Sequence, residues 1–429
     1  MATVTQVSQT DHKRGVVLAA VIGNWLEMFD FTVYGFFAVV IGKVFFPTGN
    51  ATVSLLLSVA AFAIGFITRP LGSVILGVYA DRNGRRAALT LTIMLMAIGT
   101  GIIAICPGYA QIGAAAPTLV VLARLLQGFS QGGEFGPATA MLIEQGDLKG
   151  RGLRASMQAA SQGGAILTGA AIAYVVSAIS TPDALQHWAW RIPFFIGMLI
   201  APVGLYLRRR LPDHEDVMQH GSQKSVLPTL WRNHLRKTVL LTIVATGGTV
   251  SAYTLTFYMP TFAIHNLHLP MSLAMLIGVA SGVTTLIFSP IFGRLSDHFR
   301  SRKMFLIIGR AGLLLMFFPL FLIIQKHPTI GTILALHTFM MMFYAMSGAT
   351  EFAFMCELFP RAVRATGASI VNGISVCFFG GTAPLVNTWL IKVSGNPLAP
   401  AAYVSLLVAA SIIATLLLKE TAGRPETVA

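Results

Sequence analysis

Charge is scarce in this 429-residue sequence: Asp, Glu, Lys and Arg make up 11% of it, less than half the share of roughly one quarter usual in soluble domains. That excludes a water-soluble globular fold. Acidic residues are the rarer kind, 16 against 30 Lys and Arg, for a net charge of +14. Cysteine is nearly missing. The three present (Cys106, Cys356, Cys377) fall in or beside apolar runs at spacings that suit neither a disulfide framework nor a metal site; they read as small apolar filler. No GxxxxGK[ST] pattern occurs, so nothing points to ATP as a driving force. No cofactor motif or catalytic cluster stands out, which disfavours a membrane enzyme. Gly128 to Gly132 matches the GxSxG hydrolase pattern, but mid-span it lacks the strand-to-helix turn that chemistry needs. His265 and His268, with no carboxylate or thiol beside them, make a poor metal site.

What the sequence has instead is length of apolar run. Hydrophobic residues make up 55%, mean hydropathy is +0.72, and a spanning helix needs about 20 mostly apolar residues. Twelve such runs are predicted at 16–41, 53–80, 87–106, 116–144, 155–179, 189–208, 238–263, 271–293, 304–325, 328–357, 364–392 and 399–418. The expected fold class is an all-α membrane protein. Nothing before Lys13 resembles a cleaved signal, so the first span is expected to be retained. With the N-terminus inside, 23 Lys and Arg fall in inner connections and only Lys43, Lys326 and Lys392 in outer ones. The positive-inside rule then places both termini in the cytosol. The same placement explains the basic balance without nucleic acid as a partner.

Two landmarks recur at nearly one period. Gly77 and Asp81 follow the second span as Gly293 and Asp297 follow the eighth, an offset of 297 − 81 = 216; Glu144 and Glu357 end the fourth and tenth spans, an offset of 357 − 144 = 213. The sequence therefore divides into a six-helix bundle at 1–207, a cytosolic linker at 208–237 containing RRRLPDHED, and a second six-helix bundle at 238–429. Paired halves with a site near the bilayer midplane are a transporter design that permits alternating access.

The ions inside spans are the functional candidates, since a charge at mid-bilayer costs roughly 2.5–3.5 kcal/mol on insertion scales. At about 100° per residue, Arg124, Gln127, Gln131 and Glu134 form one stripe of the fourth span; Asn24, Glu27, Phe31 and Tyr34, with Asp30 at the edge, form one of the first. Both faces are expected to line a shared wet chamber, with Gln158 and Gln162 adding amides from the fifth span. Arg124 is the first choice for gripping a carboxylate, because guanidinium offers a fork of donors and stays charged when desolvated. The expected substrate ligands are Arg124, Asn24, Tyr34, Gln127, Gln131, Gln158 and Gln162. Glu134, Glu27 and Asp30 are the candidates for the coupling proton, and spacing alone does not choose among them. Arg69, Glu351, Tyr344 and Asn372 are secondary candidates, and Arg310, about two turns from the cytosolic end of its span, is expected to snorkel. The hydroxyl face Thr242, Thr246, Thr249 and Tyr253 of the seventh span is open between substrate contact and helix packing. Gly128, Gly132 and Gly136 are expected to let a neighbouring helix approach closely.

GVYADRNGRR resembles the loop motif of the major facilitator superfamily, and GNWLEMFDF, ITRPLG, RLLQGFSQGGEFG and WRIPFF resemble its metabolite:proton symporter branch. GNWLEMFDFTVYGFFA and MQAASQ are most similar to bacterial citrate and tricarballylate proton symporters. The resemblance implies an inner-membrane symporter with no cofactor, importing citrate or a related tri- or dicarboxylate with protons, and expected to act as a monomer. It also implies a gating role at the cytosolic mouth for Gly77, Asp81, Gly84 and Arg85; the second-half copy, HFRSRK, lacks the glycine that Gly84 supplies. The competing expectations are symport of a zwitterion such as proline or a betaine, which the same branch contains, and proton-driven drug efflux.

Overall fold

The computed structural model describes residues 24–25, 27–83, 85–132, 139, 143, 150–209, 230–361 and 363–422. Among them are helices and turns but no strand, as expected where the bilayer leaves backbone polar groups nothing but each other to bond. We number the spans α1 (Glu27–Phe36 continued by Ala38–Phe45), α2 (Ala51–Ile67 and Arg69–Asn83), α3 (Arg85–Ile105), α4 (Ala115–Gln131), α5 (Arg151–Ile179) and α6 (Ile192–Arg209). The second set is α7 (Leu235–His265), α8 (Met271–His298), α9 (Arg302–Lys326), α10 (Ile330–Leu358), α11 (Arg364–Ser394) and α12 (Ala399–Leu417). Side chains that no helix covers are large and apolar, such as Leu71, Ile179 and Leu315, which is the surface that lipid accepts.

The helix ends follow local chemistry. Asn50 accepts from Thr52 N and Val53 N to start α2, and Ser301 and Thr329 accept from Met304 N and Thr332 N to start α9 and α10. Glu420, beyond α12, takes the backbone N–H groups of Arg302 and Lys303 and the hydroxyl of Ser301. Burial opposes ionisation there, yet those hydrogen bonds hold its carboxyl below the usual range.

Three spans are not the simple rods their apolar runs predict. The two parts of α1 meet at 67° around Phe37. In α7 and α11 the α-helix gives way to π-helical turns at Thr254–Tyr258 and Val376–Gly380, the kind of insertion found often at functional positions. The turn in α7 carries Phe257 against the Phe36 and Phe62 rings of the first six helices.

Glycines set how closely the helices approach. A Cβ at Gly128 or Gly132 of α4 would overlap the backbone of α2 at Gly65 and at Arg69, and one at Gly72 of α2 would overlap Phe129. This is the small-residue contact expected of Gly128 and Gly132; Gly136 lies outside the described residues. A second seam, which the sequence did not suggest, joins α5 to α8. Along it Gly152 meets Gly293, Gly163 meets Thr285, and Gly282 meets Leu167. The cysteines are free and buried, as their apolar surroundings predict.

Candidate functional site

The site is built around Arg124, which is 0% exposed in the middle of α4. Its guanidinium lies over three rings: Phe31 at 4.1 Å, Tyr34 at 4.5 Å and Phe62 at 5.1 Å. Ring faces attract a desolvated cation, and here they do much of the work a carboxylate would otherwise do. Among the described residues no carboxylate is within ion-pair distance of Arg124, and its Nε has no hydrogen-bond partner. Gly65 lets α2 approach the α4 backbone here, since a Cβ there would stand 3.0 Å from the Arg124 carbonyl oxygen.

From Arg124 a single file of hydrogen bonds crosses three helices. Arg124 Nη1 donates to Gln127 Oε1 at 2.9 Å, Gln127 Nε2 donates to Thr100 Oγ1 at 2.9 Å, and Thr100 Oγ1 donates to Asp30 Oδ2 at 2.6 Å. Every donor points toward Asp30, which is buried on α1. Gly99 and Gly197 leave the space: a Cβ at the first would meet Gln127 Cγ at 2.7 Å, and at the second Asp30 Oδ1 at 2.7 Å. Thr100 is absent from the sequence candidates because it sits on α3 and belongs to neither stripe.

Arg69 completes the first-half cluster. Its guanidinium is 5.4 Å from the Phe31 ring and 4.6 Å from Phe66, so Phe31 is approached by two cations. Arg69 reaches Glu27 Oε1 at 4.0 Å and donates to Gln131 Oε1, while Gln131 Nε2 donates to the Glu27 carbonyl at 3.3 Å. Tyr253 of α7 packs on Phe66 with ring centroids 5.6 Å apart. Where the rings of Phe62 and Phe257 meet Val59, Thr261 and Pro384, they leave a cavity of about 10 Å³, room for one water.

Other expected ligands are engaged with each other. Asn24 donates to Ser161 Oγ and to the Gln158 carbonyl, and Gln158 Nε2 returns a bond to Asn24 Oδ1 at 2.9 Å. This ties α1 to α5 and leaves Gln158 Oε1 buried without a partner. Gln162 and Asn372 are half-buried on α5 and α11, apart from the Arg124 group. Tyr34 donates to the Ser58 carbonyl at 3.2 Å. Glu134 and Gly84 lie outside the described residues, as do the side chains of Asp81 and Arg85; Gly77 is within α2. The hydroxyls of Thr242, Thr246 and Thr249 bond to backbone carbonyls of their own helix, and Thr249 also to Ser375 O of α11.

Two arrangements depart from expectation. Arg310 does not snorkel; it is 0% exposed and donates to Glu351 Oε2 of α10, because packing of α9 on α10 offers a carboxylate nearer than the interface. The second-half loop makes contacts its missing glycine did not suggest. Asp297 accepts from Gly152 N at 2.8 Å and Leu153 N at 2.9 Å, filling unsatisfied donors where α5 begins. Arg302 bridges Asp297 at 2.7 Å and Glu357 at 3.3 Å. The matching positions of Gly293 and Asp297 were the sequence signal for this contact.

Comparison with known proteins places this geometry. The family model described as Major Facilitator Superfamily matches residues 20–286, and that described as Sugar (and other) transporter matches residues 213–427. A citrate-proton symporter of Klebsiella pneumoniae is 34% identical over 405 residues, covering 94% of this chain and 90% of the relative. A proline/betaine transporter of Escherichia coli is 33% identical over 433 residues, covering 96% and 84%. In fold the chain is similar to the crystal structure of a D-xylose-proton symporter, with TM-score 0.75 at 20% identity over 96% of this chain and 98% of that one. A partially occluded, inward-open xylose transporter from E. coli gives 0.74 at 20% identity over 97% and 100%. The chain belongs to the major facilitator superfamily, multi-pass membrane transporters with twelve helices in two pseudo-symmetric bundles.

Proposed function

We propose that this protein is a proton symporter that imports a small organic anion with two or three carboxylates, citrate or a close relative, into a bacterial cell by alternating access. The observation that carries the reading is the state of Arg124 and Arg69. Two guanidiniums approach Phe31, and Glu27 is the one side-chain carboxylate within ion-pair distance of either among the described residues. With Asp30 ionised, Arg124 and Arg69 are balanced by Glu27 and Asp30, and protonation of Asp30 leaves one surplus fixed cation; that state suits an anion, and a bidentate carboxylate would complete the unused fork of Arg124. Relatives at similar identity carry the printed names citrate-proton symporter and proline/betaine transporter, so identity alone does not choose. The aromatic faces support the anion: a quaternary ammonium needs open rings, and here Phe31, Tyr34 and Phe62 already hold the chain's own cation.

For the proton we favour Asp30. When a substrate carboxylate takes Arg124, Gln127 loses its donor, and the file through Thr100 no longer ends on a carboxylate supported from the arginine. Asp30 then takes up a proton, and substrate and proton cross together. The energetics need several protons. Each net positive charge moved inward gains roughly 2.3 kcal/mol per 100 mV, about a fiftyfold accumulation, so a trianion must be overcompensated or enter partly protonated. The contact of Asp297 with the start of α5 joins the two halves at the end that the charge bias assigns to the cytosol. It has to part before substrate leaves inward.

Uptake of labelled citrate, tricarballylate, 2-oxoglutarate and proline into vesicles with an imposed pH gradient tests this. Citrate or tricarballylate uptake that falls at least about a hundredfold in Arg124→Gln, the loss of a bidentate charged contact, and that stops when the gradient is collapsed, is the expected result. Proline uptake indifferent to Arg124→Gln overturns the anion reading.

A further inference from the structure

We propose that Arg310 is a substrate-carboxylate ligand of the second half, held in reserve by Glu351 and released when that carboxyl is protonated. The proposal rests on the organic-anion reading above and adds a third cation to it. Arg310 is fully buried on α9, and only its Nη2 is used, donating to Glu351 Oε2; Nε and Nη1 are buried with no partner. A guanidinium is a rigid fork of five donors, and an ion pair serving structure alone would satisfy more of it. Buried unpartnered donors carry the full desolvation penalty, so this fork is shaped for an acceptor that the described residues do not supply.

The neighbourhood faces the first-half site. Gly248 of α7 gives the pair its room, since a Cβ there would fall on Arg310 Nη2 and on both Glu351 oxygens. Tyr344, two turns along α10, lies in electrostatic range of Arg310, Glu351 and Tyr253, and Tyr253 in turn lies in range of Arg69, Glu27 and Arg124. Two tyrosines thus separate the two sets of charges. The groups acting on Glu351 can be named element by element. Arg310 comes from α9, and Tyr344 from α10 itself. Helix α7 presents Gly248, with Tyr253 beyond Tyr344. His337, on α10 and bonded to Ser281 of α8 at 2.7 Å, is four turns outward. Arg302 is held at the opposite end by Asp297 and Glu357, and Arg364 of α11 donates to Cys356 O.

With Glu351 ionised, the pair adds no net charge to the chamber. With Glu351 protonated from the side of uptake, its O–H replaces the negative charge, and Arg310 faces Arg124 and Arg69 as a free cation for a third carboxylate. Release of substrate lets the pair close again, and the proton leaves on the same side. Charge balances at each step: one proton enters the site for one additional carboxylate held.

Equilibrium binding of radiolabelled citrate to the purified full-length protein tests this at near-neutral pH and about two units lower. Citrate's own titration is common to every variant and cancels in the comparison. Glu351→Gln should bind about tenfold tighter than wild type near neutrality, the factor of one charge-assisted bond, and equally at low pH. The double variant Arg310→Gln with Glu351→Gln, which leaves no lone buried charge, should bind citrate about tenfold more weakly than Glu351→Gln at both pH values, with a smaller loss for succinate. A Glu351→Gln to wild-type ratio that is the same at both pH values overturns the proposal. So does a double variant that binds citrate as tightly as Glu351→Gln. If wild type binds glycine betaine and not citrate, the organic-anion reading falls with it, a result distinct from the other two.

Discussion

At the scale of single residues, what matters is which polar groups are left without a partner. Arg124 and Arg310 are both fully buried; the first is stabilised by ring faces and an amide, the second by one carboxylate. Neither could be told from the other by position in a span. The helical repeat does make Arg124, Gln127 and Gln131 legible as one face, because that repeat is a property of a single helix. Thr100 was not legible, since its role exists only where α3 meets α1 and α4. Thr100→Val, equal in volume, removes the acceptor for Gln127 and the donor to Asp30. In proteoliposomes it should leave citrate exchange within about twofold of wild type, while gradient-driven accumulation falls at least about tenfold, as loss of a charge-assisted bond allows. Exchange and accumulation falling together would place Thr100 in binding and not in coupling.

At the scale of helices, close approach is set by glycine. The ridge on α4 could be read from spacing, but the seam between α5 and α8 is made by two helices distant in sequence, so no local pattern announces it. There Gly282 faces the backbone of Leu167, while Gly331, at the start of α10, faces open space. Gly282→Leu should cost about 1–3 kcal/mol as overpacking does, seen as a lowered thermal unfolding midpoint in detergent with transport lost. Gly331→Ala should change neither. The bend in α1 and the π-helical turns in α7 and α11 belong to this scale too. Each lies within an apolar run that hydropathy treats as uniform; Phe36 of α1 and Phe257 of α7 meet across the boundary between the halves, and Gly381 of α11 receives the Phe66 ring of α2.

At the scale of the whole molecule, the two halves meet through Asp297 at the start of α5 and through the aromatic rings of Phe62 and Phe257 at the other end of the site. Asp297→Asn keeps the shape but weakens the contacts to Gly152, Leu153 and Arg302. Loss of about 1 kcal/mol in a two-state equilibrium shifts it about fivefold, toward the state open at that end. In a background with the three native cysteines replaced by alanine, a Ser156→Cys probe beneath the contact should then react about fivefold faster with an impermeant maleimide in inside-out vesicles. An unchanged rate would remove Asp297 from the gate. The sequence by itself determined that the chain is a twelve-helix membrane protein built from a repeated half, because insertion energies and charge placement are sums over local composition. It also determined which ions are too costly to face lipid. Only the tertiary structure decided their partners: Arg124 with aromatic rings, Arg69 with Glu27, Arg310 with Glu351. Pairing of buried charge is settled by packing between helices far apart in sequence, where a shift of one turn exchanges one partner for another.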